Sequence, residues 1–287
     1  MTQALLDEAL RAHRFVPCGA SQEKALGWVE PRGQAHGSLV EVVSGQWLLR
    51  LMIESKAVPA SVVKRKVQER VNQIEASTGR KPGKKETRDL RDDTRLALLP
   101  MAFTKQSGVI VWIDPKARLL VLDAGTQGRA DEAVTALIKA IDGFSVEPIN
   151  TQTSAAVAMA TWLSAREAPG GFTVDRECEL KAPDESKAAV RYTRHALNTE
   201  EICQHIALGK VPTRLAMTWN DRVSFVLTDA LQVKKLAFLD VVFESAAASS
   251  ADREDDEFDA DAAIATGELA KLIPELLQAL GGEMTLA

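Results

Sequence analysis

The 287-residue sequence is poor in cysteine, in aromatic residues and in long apolar runs, and these shortages narrow the class of protein. Its three cysteines, Cys18, Cys178 and Cys203, are widely spaced and form no CxxC pair, which argues against a disulfide framework or a zinc site. No apolar run approaches the roughly 20 residues of a membrane-spanning helix. The N-terminus also lacks a charged segment followed by an apolar one. We therefore expect reduced thiols and a cytoplasmic protein.

The common motifs of catalytic and cofactor sites are missing as well. GxGxxG, GxSxG, HExxH and EF-hand patterns do not occur. The segment from Gly79 to Lys85 is one residue short of a Walker A loop and lacks the Ser or Thr that would hold magnesium. Cys203 and His205 would supply only two metal ligands. We therefore predict no enzyme activity, no catalytic residue, no metal and no cofactor.

The net charge of −5 hides a segregation of charge along the chain. Between Lys56 and Arg95 there are 12 Lys or Arg against 6 Asp or Glu, whereas Glu244 to Asp261 holds 8 acids and one base. Phosphate binding requires a local excess of cations rather than a positive total. The basic segment is therefore a candidate nucleic-acid surface, and residues 246–256 are predicted to form a mobile acidic loop.

Hydrophobic periodicity predicts an α+β fold with mixed sheets. We divide the chain into an N-terminal region, 1–150, and a C-terminal region, 151–287, which contains the acidic loop and a terminal helix. The predicted strands cover residues 39–43, 47–53, 108–113, 119–123, 172–181, 188–195, 213–218, 223–228 and 233–239. The predicted helices cover residues 4–13, 61–76, 84–99, 130–141, 154–166, 199–208 and 260–280.

Two of these helices follow each other across a short Gly- and Pro-containing connection, which predicts a protruding helical hairpin at about residues 57–100. On its second helix, cations recur at i, i+4, i+7 and i+11 and share one face, beside a stripe formed by Leu90, Thr94, Ala97 and Leu98 that can pack. On its first helix, cations border a seam of Val and Ile. The candidate phosphate contacts are Lys64, Lys66, Arg70, Lys84, Arg88, Arg91 and Arg95. The alternative is a solvated face with local pairs such as Arg88 with Asp92.

Several short sequence blocks are more specific than the spacing of cations on the helices. The stretch RYTRHALNTEEI at 191–202, followed by GKV at 209–211 and LAMTW at 215–219, resembles the family of the recombination-associated protein RdgC. Further blocks agree in the same order: PCG at 17–19, GWV at 27–29, LLPMAF at 98–103, VWID at 111–114, FDAD at 258–261, TGELA at 266–270 and GGE at 281–283. The resemblance extends over essentially the whole chain.

The resemblance implies a homodimer closed into a ring with a positively charged interior. It implies binding of double-stranded and single-stranded DNA with little sequence preference, association with the nucleoid, and restraint of RecA-promoted strand exchange in recombination and replication fork repair. Members of the family usually begin with an additional strand before the first helix. Here Met1-Thr2-Gln3 opens almost directly onto that helix, so we expect an unpaired sheet edge near the N-terminus.

This reading adds further candidate residues. Arg118 and Arg194 are additional DNA contacts; Phe103 is a candidate apolar anchor for one dimer contact, and Arg194 with His195 for the other. Phe103 could instead be an ordinary core aromatic. The competing function is a protein-interaction scaffold whose basic hairpin docks onto an acidic partner or onto the chain's own acidic loop at Asp252–Asp261. A nuclease is a weaker alternative, because the acids show no persuasive magnesium-binding spacing.

Overall fold

A computed structural model describes residues 2–246 and 254–284 of the chain. In that part the protein is α+β and contains two compact units, Met1–Val146 and Glu147–Ala287, which we call the N-terminal and the C-terminal unit. Each unit is built on one five-stranded antiparallel sheet. Among the described helices, none combines the length and the apolarity that crossing a membrane requires.

The sheet of the N-terminal unit is organised around two long neighbouring strands. The elements of the unit are α1 (Gln3–Arg11), β1 (Lys24–Val29), β2 (Glu41–Val43), β3 (Gln46–Lys56), α2 (Ala60–Thr78), α3 (Lys84–Leu98), a 3-10 turn (Leu99–Met101), β4 (Thr104–Asp114), β5 (Leu119–Asp123) and α4 (Gln127–Ala140). The strand order is β1-β3-β4-β5, with β2 paired to β3, and the β3–β4 register extends from Trp47 opposite Ile113 to Lys56 opposite Thr104. Helices α2 and α3 are inserted between β3 and β4.

Side chains alternate between the two faces of this sheet. Leu49 and Leu51 of β3 and Val109 of β4 point to one face and form a core with residues of α1 and α4, such as Leu6 and Leu137. We call the opposite face the outer face of the N-terminal sheet. It carries half-buried residues at the same register positions: Val29, Arg50, Met52 and Ile110.

The two edges of the N-terminal sheet differ. The edge of β1 is covered, because Trp28 donates to the carbonyl of His13 at 2.9 Å and accepts from the N–H of Phe15 at 3.0 Å. Gly27 permits this approach, since a Cβ there would lie 2.4 Å from the Cα of Phe15. Among the described residues, β5 pairs with β4 alone. An open edge is therefore present at β5 rather than at β1.

The C-terminal unit packs helices against its sheet. The elements are α5 (Ala155–Ala165), β6 (Phe172–Lys181), β7 (Ala189–Thr193), α6 (Glu200–Ala207), β8 (Val211–Trp219), β9 (Val223–Thr228), β10 (Val233–Phe238), α7 (Asp240–Ala246) and α8 (Glu254–Ala279). The strand order is β10-β9-β8-β6-β7. The core joins Met159 and Trp162 of α5 and Leu272 of α8 to Phe225 on β9, and the indole N–H of Trp219 donates to Glu275 at 2.6 Å.

The C-terminal end corrects one sequence-based expectation. Helix α8 begins at Glu254, six residues before the predicted start, and residues 240–246 form the unpredicted helix α7. Residues 254–256 of the predicted acidic loop are therefore helical, as an N-terminal extension of the predicted helix, because extending a formed helix costs less than starting a new one. Residues 247–253 of the predicted acidic loop lie outside the described part of the chain.

Candidate nucleic-acid interface

Helices α2 and α3 are joined by five residues and pack against each other; we call them the helix pair. Helix α2 is capped by Gly79, whose φ of 72° is left-handed and whose N–H donates to the carbonyl of Glu75 at 2.9 Å. The seam between the helices is thin. It buries Val63 and Val67 of α2 and Thr94 of α3, and the hydroxyl of Thr94 donates to the Leu90 carbonyl at 2.6 Å. Most of the surface of both helices therefore faces solvent.

The cations of α3 lie on the solvent side of this seam. Lys84, Arg88, Arg91 and Arg95 are exposed, and their spacing places them on one face of the helix along about 16 Å. Ala97 was predicted to pack with Leu90 and Thr94, but it is exposed. The packed stripe is thus narrower than predicted, because the thin α2–α3 seam does not extend to Ala97.

Most of the candidate cations have no acidic partner. Within the described residues, no carboxylate oxygen lies within 4.0 Å of the following side chains: Lys64, Arg70, Lys84, Arg88 and Arg91. The local pair of Arg88 with Asp92 does not form. Their positive charge is therefore uncompensated at short range and available to an external anion.

Two candidates differ from this group, because each contacts a carboxylate. Lys66 lies 3.1 Å from Glu69 on the same helix. Arg95 makes two contacts with Glu23, Nε to Oε1 at 2.6 Å and Nη2 to Oε2 at 2.9 Å. That second pair ties the end of α3 to the segment before β1. Arg95 is therefore paired in this structure rather than presenting a free charge.

The connection between the two helices contains a further ion pair. Arg80 donates to Glu86 at 2.9 Å, and this hydrogen bond lowers the pKa of Glu86 below its ordinary value. The charge of Glu86 is thereby neutralised at short range by Arg80, which is not one of the aligned cations of α3.

The outer face of α2 carries a shallow groove of about 400 Å³. Its lining comes entirely from that helix: Ser61, Lys64, Arg65, Gln68, Glu69 and Asn72. A small-molecule site normally encloses its ligand between walls from several elements. This lining comes from one helix and includes the carboxylate of Glu69 beside the cations, so the groove is no enclosed ligand site.

The remaining candidates are separate from the helix pair. Arg118 is exposed at the turn that follows β4, where Asp114 accepts from the N–H groups of Lys116 and Ala117. This turn lies at the end of β4 opposite the helix pair, about 35 Å along the strand. Arg194 and His195 belong to the C-terminal unit and are exposed.

Phe103 follows the helix pair and is 90% exposed. Met101 and Leu96 are also exposed there. The interpretation of Phe103 as an ordinary core aromatic is therefore wrong, and its ring is accessible to a partner.

Comparison with known proteins identifies the family. A family model described as "Putative exonuclease, RdgC" matches residues 1–283. The chain is similar to the recombination-associated protein RdgC of Dechloromonas aromatica, with 45% identity over 98% of this chain and 92% of that protein. It is 42% identical to the protein of that name from Herminiimonas arsenicoxydans (99% and 93% covered) and 45% identical to that from Cupriavidus necator (97% and 92%). The chain belongs to the RdgC family.

The two descriptions of the RdgC family point to different activities. The relatives are named for recombination, whereas the family model names an exonuclease. In residues 2–246 and 254–284, no three His, Cys, Asp or Glu side chains are grouped to hold a metal ion. Cys203 lies 3.9 Å from the Leu163 carbonyl, and Nδ1 of His205 lies 3.1 Å from Nζ of Lys210, so these two side chains have other contacts.

Two residues that matter to the surface of this RdgC-family chain are not evident from the sequence. Glu23 is 72 residues from Arg95, and no local pattern connects them. Arg50 is a single cation inside an apolar strand, so that neither clustering nor helical spacing marks it. The only signal is its alternation with Leu49 and Leu51, which places it on the outer face of the sheet.

Proposed function

We propose that this RdgC-family chain binds double-stranded and single-stranded DNA through phosphate groups, without reading sequence, and that α3 supplies the central contacts. The observation that carries the proposal is the row formed by Lys84, Arg88 and Arg91, exposed and without a carboxylate within 4.0 Å in the described part of the chain. Cations of this kind displace the condensed counterions of DNA, and this displacement drives nonspecific binding.

The composition of the helix pair also favours backbone binding. Residues 57–101 contain no Phe, Trp or Tyr, so the pair cannot stack on bases as single-strand-binding proteins do. Uncompensated lysines and arginines on one helix face suit phosphates, which every DNA sequence presents alike. This supports binding with little sequence preference.

We further propose that two copies form a ring and thereby restrain RecA-promoted strand exchange at the nucleoid. The exposed ring of Phe103 supports its assignment to one contact between copies, and the exposed Arg194 and His195 are the candidates for the other. A protein that encircles or coats DNA obstructs a filament without needing to contact it. The competing scaffold hypothesis instead has the helix pair bind an acidic protein.

Variants of α3 test the proposal. Replacing Arg88 and Arg91 with Gln should weaken binding equally for unrelated duplexes and make the slope of log affinity against log salt shallower by up to about 1.8 per subunit. The matched control is the double replacement Asp89→Asn and Asp93→Asn on the same helix, which should leave affinity unchanged or slightly higher. Glu86 is unsuitable as a control because it pairs with Arg80.

Gel-shift titrations at several salt concentrations provide the measurement. If the folded double variant Arg88→Gln, Arg91→Gln keeps the salt slope of the parent protein, α3 does not contact DNA and is an ordinary solvated helix. Tight binding to an acidic protein together with negligible affinity for unrelated duplexes would favour the scaffold.

The oligomeric state forms a second test. Light scattering should give a dimer for the parent protein, and Phe103→Ser should shift it toward the monomer because an exposed apolar anchor is lost. A parent protein that is monomeric at micromolar concentration contradicts the ring.

Catalysis can be examined separately. We expect DNA incubated with the purified protein and magnesium to stay uncut. Cleavage that copurifies with the protein through every step would instead support the family model's description.

A further inference from the structure

Arg50 lies in the middle of β3, on the outer face of the N-terminal sheet. It is paired in register with Val29 of β1 and Ile110 of β4, while its chain neighbours Leu49 and Leu51 are buried in the core on the other face. Arg50 itself is half-buried. The surface beside it is mostly apolar, since Val29, Met52 and Ile110 are its neighbours on that face.

Gly108 of β4 makes room for the Arg50 side chain. A Cβ built at Gly108 would lie 2.8 Å from Nε and 3.4 Å from Nη2 of Arg50. The guanidinium group therefore rests against the backbone of the neighbouring strand, where another residue would displace it. A glycine inside a strand weakens the strand and often marks a close approach of this kind.

The guanidinium of Arg50 has no acidic partner in the described residues. Its Nε is buried and makes no hydrogen bond there. Two other half-buried arginines of the unit are paired with acids, because Arg14 contacts Glu30 at 2.8 Å and Arg32 contacts Glu41 at 2.9 Å. A cation held against apolar groups without an anion is unfavourable, so the fold retains at Arg50 a charge that an anion would stabilise.

We propose that Arg50 is a phosphate-binding residue and that the outer face of the N-terminal sheet forms part of the DNA surface. This inference rests on the proposed function. A guanidinium group can bind a phosphate through two parallel hydrogen bonds, and its apolar surroundings strengthen the attraction by lowering the local dielectric constant. The N-terminal unit contains 22 Lys and Arg against 17 Asp and Glu, a net charge of +5 that favours a polyanion over a single carboxylate.

The position of Arg50 is compatible with a ligand shared with the helix pair. Strand β3 leads from Arg50 to Lys56, and α2 begins at Ala60. Six strand residues span about 20 Å, which is the length of roughly six base pairs. One duplex could therefore contact both surfaces.

Substitutions at three positions test this inference. Arg50→Gln should weaken the affinity for an unrelated duplex about tenfold and make the salt slope shallower by about one per subunit. Gly108→Ala should weaken binding in the same direction, because its methyl group displaces the guanidinium. Lys139→Gln is the matched control: Lys139 is an exposed cation on α4, which covers the opposite face of the sheet, and its loss should change neither quantity.

The outcomes separate this inference from the proposed function. If Arg50→Gln keeps the parent affinity and slope while the Arg88 and Arg91 variants weaken binding, the inference fails and the proposed function stands. If none of these variants affects binding, both fail. If Arg50→Gln alters the oligomeric state but not DNA affinity, the face binds a second copy, and the inference is overturned.

The Lys replacement guards against a folding artefact. If Arg50→Gln lowers the melting temperature, Arg50→Lys replaces it as the test of phosphate binding. Lysine keeps the positive charge but cannot form the two parallel hydrogen bonds of a guanidinium group. The inference requires Arg50→Lys to retain the salt slope with a lower affinity; the parent affinity in that variant contradicts it.

Discussion

The helix pair of the N-terminal unit and the C-terminal unit use their cations differently. The N-terminal unit has a net charge of +5, whereas the C-terminal unit has 13 Lys and Arg against 23 Asp and Glu, a net charge of −10. In the C-terminal unit, cations contact the acids of the fold: Arg222 makes two hydrogen bonds with Glu268, and Lys235 contacts Glu177 at 2.8 Å. On α3, by contrast, Lys84, Arg88 and Arg91 contact no described carboxylate.

Buried carboxylates account for part of the pairing in the C-terminal unit. Glu179 and Glu268 are both buried, and a buried carboxylate is stable only when it is paired or hydrogen-bonded. Arg191, Lys181 and Thr213 satisfy Glu179 in this way. The helix pair contains no buried carboxylate, so its cations are not required by the fold. A cation is thus available to a ligand when nothing inside its own unit needs it.

The largest expected effect comes from removing the uncompensated cations. Replacing Lys84, Arg88 and Arg91 with Gln should reduce DNA affinity more than tenfold and make the salt slope shallower by up to about 2.7 per subunit. The matched change in the C-terminal unit, Lys181→Gln with Arg191→Gln, should leave DNA affinity within about twofold but lower the free energy of unfolding, because the buried carboxylate of Glu179 loses its partners. Gel shifts measure DNA affinity, and denaturant titrations measure the free energy of unfolding. If both sets of variants lose DNA affinity equally, the proposed difference between the helix pair and the C-terminal unit is wrong.

A smaller effect concerns pH. The hydrogen bond from Arg191, aided by Lys181, holds the pKa of Glu179 at about 2, below its ordinary value of 4.5. A lowered carboxyl pKa contributes stability that is fully present above the ordinary value and is lost as the pH falls toward the folded value. We therefore expect the free energy of unfolding to fall between about pH 4.5 and pH 2, partly through Glu179. Denaturant titrations of Glu179→Gln should show a flatter dependence in this window; an unchanged pH profile contradicts the assignment.

The smallest effect should come from releasing a paired cation. Glu23→Gln removes the partner of Arg95 and leaves that guanidinium free, so DNA affinity should rise about twofold with a slightly steeper salt slope. Glu69→Gln does the same for Lys66 on α2 and serves as the matched variant. A loss of affinity in Glu23→Gln would mean that the pair's main role is to orient the helix pair.

Local patterns predicted much of the fold. The apolar and β-branched residues of 223–228 located β9, and Asn220-Asp221 before it forms the predicted turn, with both φ angles positive at 46° and 52°. Strand β1 was missed because Gly27 interrupts its short apolar pattern. Helix α7 was missed because its sequence leads into an acidic stretch that resembles a loop.

The candidate site was predictable only to the extent that it is local. Helical spacing is enough to place Lys84, Arg88 and Arg91 on one face, because 100° per residue applies to any helix. Whether a given cation is free depends on distant residues. Glu23 neutralises Arg95 from another part of the unit, and Gly108 on the neighbouring strand determines where Arg50 lies.

The thin seam of the helix pair has a consequence for its dynamics. Val63, Val67 and Thr94 are the buried residues that its two helices contribute, whereas β3 and β4 supply a large share of the core of their unit. Segments with few buried contacts open at a lower free energy than the surrounding fold. Amide hydrogens of α2 and α3 should therefore exchange with solvent by local opening, well before those of the central strands. Because a ligand that binds only the closed helices stabilises them by mass action, bound DNA should slow this exchange and leave the exchange of β3 and β4 nearly unchanged.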